Sequence, residues 1–259
     1  MADILHRIVE TKKKEVADLL GSRPLSDWEQ AARQTPAPRG FLEQMRLPGI
    51  RVIAEVKKAS PSAGILRSPF HPGEIARSYA DHGAACISVL TDRDYFQGKL
   101  ADLEEVRGTV SLPVLRKDFL IDPVQVFEAR IHGADAVLLI AEILSQTQLA
   151  ELHTLAESLG MAVLVELHDA ESLDKVLAAK PRLVGVNNRD LRTFQVRLEH
   201  TLEIAKKLPA DTLVVSESGI KTPEDIRHLV RGGVERFLVG EAFMRSPSPG
   251  QRLAELISV

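Results

Sequence analysis

The chain has 259 residues, 44% of them hydrophobic and 27% charged, with a formal net charge of −3. That length carries one large domain or two small ones, and closed α/β barrels of this size are routinely a single domain. The slightly acidic balance and an aromatic content of 4% exclude nucleic acid as an expected partner, because neither a basic stripe nor a base-stacking platform can be built.

A single cysteine, Cys86, excludes an internal disulfide, and its apolar neighbours make it a small core residue. No run approaches the roughly 18 apolar residues of a membrane span. Residues 1–21 carry acids and the run Lys12-Lys13-Lys14, where a secretory leader needs an unbroken apolar stretch. The expectation is a cytoplasmic protein, with a monomer as the simplest state.

In chain order, residues 3–20 fit an amphipathic helix with Ile4, Leu5, Ile8, Val9, Val16, Leu19 and Leu20 on one side and the lysines on a solvated face. A second helix is expected over about 26–34, capped at Ser26-Asp27, and two prolines within 35–39 mark a linker. From Arg51 the pattern changes to eight short runs rich in β-branched and apolar residues. They span 51–57, 85–90, 113–119, 136–141, 162–168, 183–189, 212–218 and 236–241. Seven helical segments separate them. Asp122-Pro123, Ser145, Asp169 and Thr222-Pro223 open helices, and Gly83, Gly133, Gly160 and Gly232-Gly233 close them. Such alternation implies a parallel sheet, and eight units in about 200 residues imply closure into a (β/α)8 TIM barrel. A doubly wound open sheet would need a Gly-rich turn after its first strand, which is missing. The whole chain, 1–259, is thus one barrel domain, with residues 1–49 as a helical extension expected over the barrel mouth.

Ligands of such barrels bind at the C-terminal ends of the strands. Alternate strand residues share a face, and here each inward string turns polar at its end. The first strand ends in Glu55 and Lys57, the third in Lys117 and Phe119 after Leu115, and the fifth in Glu166 and His168. The sixth follows Gly185 with Asn187 and Arg189, and the seventh ends in Glu217. Any one of these reads equally well as a structural ion pair at a sheet rim, and His168 suits a rim role as well as a site. Five strands repeating the pattern point to one site of mixed charge. Two glycine turns, Ser218-Gly219 after the seventh strand and Gly240-Glu241 after the eighth, lie where these barrels cradle phosphate on backbone N–H groups. Asp92-Arg93-Asp94 reads as a solvated loop. The histidines lack helical metal spacing, and neither a Walker loop nor a dinucleotide fingerprint occurs, so no metal and no organic cofactor is expected.

The motifs A-E-V-K-K-A-S-P-S, L-R-K-D-F, A-D-A-V-L-L-I, V-E-L-H, N-N-R-D-L, S-E-S-G-I and V-G-E-A-F-M-R, in this order, resemble those of the indole-3-glycerol phosphate synthase family over nearly the whole chain. The resemblance implies a lyase of tryptophan biosynthesis acting on a small phosphorylated substrate, 1-(2-carboxyphenylamino)-1-deoxyribulose 5-phosphate. It implies Lys117 as acid for ring closure, Glu166 and Glu55 as the carboxylates, Asn187 on a sugar hydroxyl and Glu217 as an orienting group. Lys57 is left open between phosphate contact and the acid of dehydration. Arg189 with Ser60 would hold the aryl carboxylate, and Phe119, Leu138 and Leu191 the ring. Ser218, Gly219, Gly240 and Glu241 would hold the phosphate, Glu241 through its backbone N–H. Phosphoribosylanthranilate isomerase, a Schiff-base aldolase on Lys117 and a non-catalytic phospho-ligand barrel are the alternatives. The isomerase would need a Cys/Asp pair at the strand ends, and Cys86 lies within a strand.

Overall fold

The computed structural model describes residues 4–190 and 195–259. Before the barrel come α1 (Ile4–Ser22), α2 (Leu25–Gln34) and α3 (Phe41–Arg46). The eight barrel strands are β1 (Arg51–Val56), β2 (Cys86–Leu90), β3 (Val114–Lys117), β4 (Ala136–Ile140), β5 (Ala162–Leu167), β6 (Leu183–Asn187), β7 (Leu213–Glu217) and β8 (Arg236–Val239). All neighbours are parallel and follow chain order. The ring closes where β8 pairs with β1, Arg51 opposite Arg236 and Ala54 opposite Val239.

The crossovers are α4 (Pro72–Asp81), α5 (Leu100–Thr109), α6 (Pro123–Ile131), α7 (Gln146–Ser158), α8 (Leu173–Ala179), α9 (Glu199–Ala205) and α10 (Pro223–Arg231). After β8 come α11 (Glu241–Met244) and α12 (Pro249–Ile257). Three expected caps form complete capping boxes, Asp122 with Gln125, Ser145 with Gln148 and Thr222 with Asp225. Two do not. Helix α2 starts after Pro24 without a side-chain cap, and the Ser26 hydroxyl, inside its first turn, donates to the Asp27 carboxylate. Asp169 precedes a short 3₁₀ turn, Ala170–Ser172, and α8 begins only after it. A two-residue-per-arm hairpin, Ala59–Ser60 against Gly64–Ile65, follows β1 and was too short to show a period.

Strand alternation sorts the core into two layers. Val52, Ala54 and Val56 face outward into the apolar layer between strands and helices, whereas Ile53 faces inward with Leu115, Leu138, Leu164 and Val215. Both faces are dry, which is why the strands read as near-continuous apolar runs.

The N-terminal segment runs the height of the barrel. Ile4, Leu5 and Ile8 of α1 line the cavity at the mouth. Helix α2 packs on α6, and Arg130 donates to the carbonyls of Thr35 and Pro36. Arg39 then donates to the carbonyls of Arg107 and Val110, orphan acceptors at the end of α5, and of Leu112 in the connection to β3. Helix α3 lies at the opposite end from the mouth. Its Gln44 and Met45 carbonyls accept from Arg51 and Arg236 at the strand starts, and Phe41, Leu42 and Met45 join the inner core. Only α1 is therefore at the mouth, unlike the expectation for the whole of 1–49. The apolar side of α3 has no counterpart at the polar mouth and fits the apolar strand starts instead.

On α1 the buried stripe is Ile8, Lys12 and Val16, spaced by four, while Leu20 is 42% exposed. The lysine run is thus not a uniform solvated face. Lys13 and Lys14 are exposed and Lys12 is buried. Asp92, expected in a solvated loop, is buried with it. Among the described residues no helix is long and apolar enough to cross a membrane.

Candidate active site

A cavity of about 510 Å³ opens at the C-terminal ends of the strands. The side chains of Glu55, Lys57, Lys117, Glu166, Asn187 and Glu217 all line it, although they come from five strand ends spread along the chain. Ser60, Phe119, Leu138 and Arg189 line it too, as do the turns Ser218-Gly219 and Gly240-Glu241. Leu191 lies outside the described residues.

At the centre, Lys117 Nζ donates to Glu166 Oε2 at 2.9 Å and lies 3.4 Å from Glu217 Oε2. Asn187 Nδ2 donates to the other oxygen of Glu166 at 3.2 Å. Across the cavity Lys57 pairs with Glu55 at 2.5 Å. Burial works against the Lys117 charge, but Glu166, Glu217 and Glu55 outweigh it and hold the ammonium above its usual range. Burial would likewise raise Glu166, yet the Lys117 charge and the hydrogen bonds it receives keep that carboxyl below its usual range. Glu217 moves the other way: burial, and then the Glu166 charge, push it well above the carboxylate range. Two carboxyls beside one ammonium are thus shifted in opposite directions, Glu166 toward its ionised form and Glu217 toward its neutral form.

Two glycines make room for this cluster. A Cβ at Gly185 would collide with Glu217 Oε1, and one at Gly240 with the Glu55 carboxylate. The turn after β7 has Ser218 at φ 65° and Gly219 at φ 84°. A left-handed serine beside a left-handed glycine is strained backbone, and it belongs to a turn that faces the cavity. Arg189 Nη2 lies 3.5 Å from Glu241 Oε2, bridging the loops after β6 and β8.

Several lining residues escaped sequence reading. Phe96 faces Phe119 with ring centroids 6.0 Å apart, and Ile140 and Leu238 extend the apolar wall. An aromatic pair, Tyr95-Phe96, just after a barrel strand in a chain poor in aromatics was the available signal. Lys221, Arg245 and Arg252 line the outer rim beyond the glycine turns. His168 takes the rim role. Its Nδ1 lies 2.7 Å from the Asn187 carbonyl, and its ring packs against His200 outside this cavity. Cys86 is buried at the start of β2, with Sγ toward the Phe41 carbonyl at the far end of the barrel, and burial pushes its thiol up. It cannot act at the mouth.

Comparison with known proteins gives the family of the chain. Residues 5–256 match the family model described as indole-3-glycerol phosphate synthase. The indole-3-glycerol phosphate synthase of Dechloromonas aromatica is 52% identical over 262 residues, covering 100% of both chains. That of Polaromonas sp. strain JS666 is 49% identical over 263 residues, again covering 100% of both. Among solved structures, the thiamine phosphate pyrophosphorylase of Pyrococcus furiosus superposes with a TM-score of 0.60 at 16% identity, covering 80% of this chain and 93% of that one, a likeness of fold alone. With a family match over nearly its full length and close relatives of equal extent, the chain belongs to the indole-3-glycerol phosphate synthase family.

Proposed function

We infer that the protein is a carboxy-lyase that converts 1-(2-carboxyphenylamino)-1-deoxyribulose 5-phosphate to indole-3-glycerol phosphate, CO2 and water in tryptophan biosynthesis. The observation that carries the residue assignment is the placement of Lys117, ion-paired with Glu166 and 3.4 Å from Glu217, in one cavity with an apolar wall and two glycine turns.

In this reading the phosphate docks on backbone N–H groups of Ser218-Gly219 and Gly240-Glu241, with Lys57 within the same cavity. The aryl ring lies against Phe119 and Leu138. Arg189 exchanges Glu241 for the aryl carboxylate, for which its planar fork is suited, and Ser60 adds a donor. The ring carbon bearing the carboxylate attacks the ketone carbon, and Lys117 gives its proton to the ketone oxygen as the C–C bond forms. Carbon–carboxylate cleavage returns the electron pair to the ring and releases CO2. The new hydroxyl then leaves as water, protonated by Lys57 or Lys117, while Glu55 or Glu166 takes the proton from the adjacent carbon. Asn187 holds Glu166 and reaches a sugar hydroxyl, and Glu217 orients Lys117 from 3.4 Å.

The test is direct. Purified protein with the carboxyphenylamino deoxyribulose phosphate should develop indole fluorescence and release one CO2 per indole. A protein that binds the substrate without forming indole would overturn the reading. Borohydride trapping of substrate on Lys117 would favour an aldolase instead.

A further inference from the structure

Lys12 has no part in the chemistry above, yet it is 2% exposed and its ammonium touches three carboxylates. Nζ lies 2.9 Å from each of Glu15 Oε2, Asp92 Oδ2 and Asp118 Oδ1. Asp92 and Asp118 are themselves 0% and 3% exposed. A buried ammonium between two buried carboxylates costs desolvation that a surface lysine would avoid, and removing one partner leaves an uncompensated buried charge, so the three groups are tied to one arrangement.

What it arranges follows from the other contacts of the two aspartates, Asp92 through its second oxygen and Asp118 through the oxygen that also meets Lys12. Asp92 Oδ1 accepts the backbone N–H of Tyr95 at 2.7 Å and of Phe96 at 3.0 Å. Asp118 Oδ1 accepts the N–H of Phe119 at 2.8 Å. Each aspartate therefore holds the main chain of an aromatic residue that lines the cavity, and the two rings face each other. Asp118 also directly follows Lys117. Helix α1 brings Ile4, Leu5 and Ile8 to the same wall, and Thr11 makes a second tie through the Tyr95 hydroxyl at 3.0 Å. One ammonium thus joins three segments, far apart in sequence, whose apolar side chains meet in the cavity.

We propose that Lys12 is a positioning residue for the aryl end of the substrate, fixing Phe96, Phe119 and α1 as one wall through Asp92 and Asp118. The aryl part rests on the proposed synthase function, whereas the tie between segments rests on the geometry alone. Glu15, on the same helix turn, gives the ammonium its third partner but holds no cavity residue.

The experiment compares full-length Lys12→Met, Asp92→Asn and Glu15→Gln with the wild type by three readouts. In Lys12→Met, KM for the substrate should rise ~10-fold or more while kcat falls less, the signature of lost substrate positioning. Competitive inhibition by inorganic phosphate should change less than ~2-fold, because the glycine turns are untouched. Amide hydrogen exchange at Phe96 and Phe119 should quicken, with strand amides such as Val137 still protected. Asp92→Asn should quicken exchange at Phe96 and spare Phe119, and Glu15→Gln should leave all three readouts near wild type. Unchanged KM in a folded Lys12→Met, or phosphate inhibition weakening in step with KM, would overturn the proposal. If Lys12→Met does not fold, Asp92→Asn decides, and unchanged Phe96 exchange with unchanged KM sinks the idea. A wild type that forms no indole would remove the synthase reading, and amide exchange would still judge the tie.

Discussion

Glu217 occupies the space that any side chain at Gly185 would need, since the two residues meet on neighbouring strands inside the barrel. The glycine is thus part of the active-site cluster although it has no functional group. Gly185→Ala should displace the Glu217 carboxyl, costing about 1–3 kcal/mol of stability as overpacking. It should also lower turnover, measured by indole fluorescence beside a denaturant melt. Full turnover with normal stability would mean that the carboxyl has another place to go.

The opposite shifts of the two carboxyls can be read by isosteric substitution. Burial pushes Glu217 toward its neutral form, which Gln imitates, so Glu217→Gln should keep turnover within about ten-fold, below the ~10²-fold scale of losing an acid–base group. Glu166→Gln removes the charge that Lys117 and Asn187 hold and should cost ~10²-fold or more. The reverse ranking would exchange the two assignments.

Lys117→Met should lower turnover by at least ~10²-fold, with substrate affinity changed far less. The raised ammonium also fixes the pH behaviour. A lysine whose folded pKa lies above its ordinary 10.5 stays protonated throughout the neutral range. The stability it adds is complete below 10.5 and is lost only as pH rises beyond that through the folded value. An alkaline limb of kcat near pH 8 would therefore have to come from another group, and its loss in Lys117→Met would refute this.

Acid should loosen the Asp118 contacts. Burial alone would raise Asp118, but Arg116 and Lys12 hold it down, from 3.8 to about 2. A depressed carboxyl stabilises the fold above its unfolded value, and that contribution, about 2 kcal/mol, disappears as pH falls from about 4 to about 2. Asp118→Asn should be less stable than wild type at neutral pH, and the gap in urea midpoints should narrow across that acid window. A constant gap would contradict the assignment.

The far end of the barrel should matter for folding and not for chemistry. Phe41 is 1% exposed in the inner core, so Phe41→Ala should cost about 3–5 kcal/mol. At 25 °C the surviving folded protein should keep wild-type KM, because Phe41 sits at the strand starts. A changed KM at full folding would show that α3 communicates with the mouth.

The barrel and its polar strand ends were legible in the sequence because both repeat. Eight apolar runs with capped helices allow one closed topology, and strand alternation carries Glu55, Lys117, Glu166, Asn187 and Glu217 to one side. Local patterns could not reveal Lys12. Three consecutive lysines resemble a solvated face, and the burial of one depends on Asp92 and Asp118, whose positions are set by β2 and β3. Helix α3 has six residues, fewer than two turns, and so shows no readable period. The Gly185–Glu217 fit is also invisible, since a glycine in a strand does not say which side chain it admits.

The closure of β1 by β8 has a consequence for the nascent chain. Until Arg236–Val239 has been synthesised, β1 has a partner on one side only, and the apolar segment Val52-Ile53-Ala54 presents unpaired backbone groups on the other. An unpaired, apolar strand edge is a template for pairing with another chain, and incomplete folds expose it most. Ribosomes that pause between β7 and β8 would hold seven strands with two bare edges. An edge open to such pairing therefore persists until β8 has been made, and the finished ring removes it.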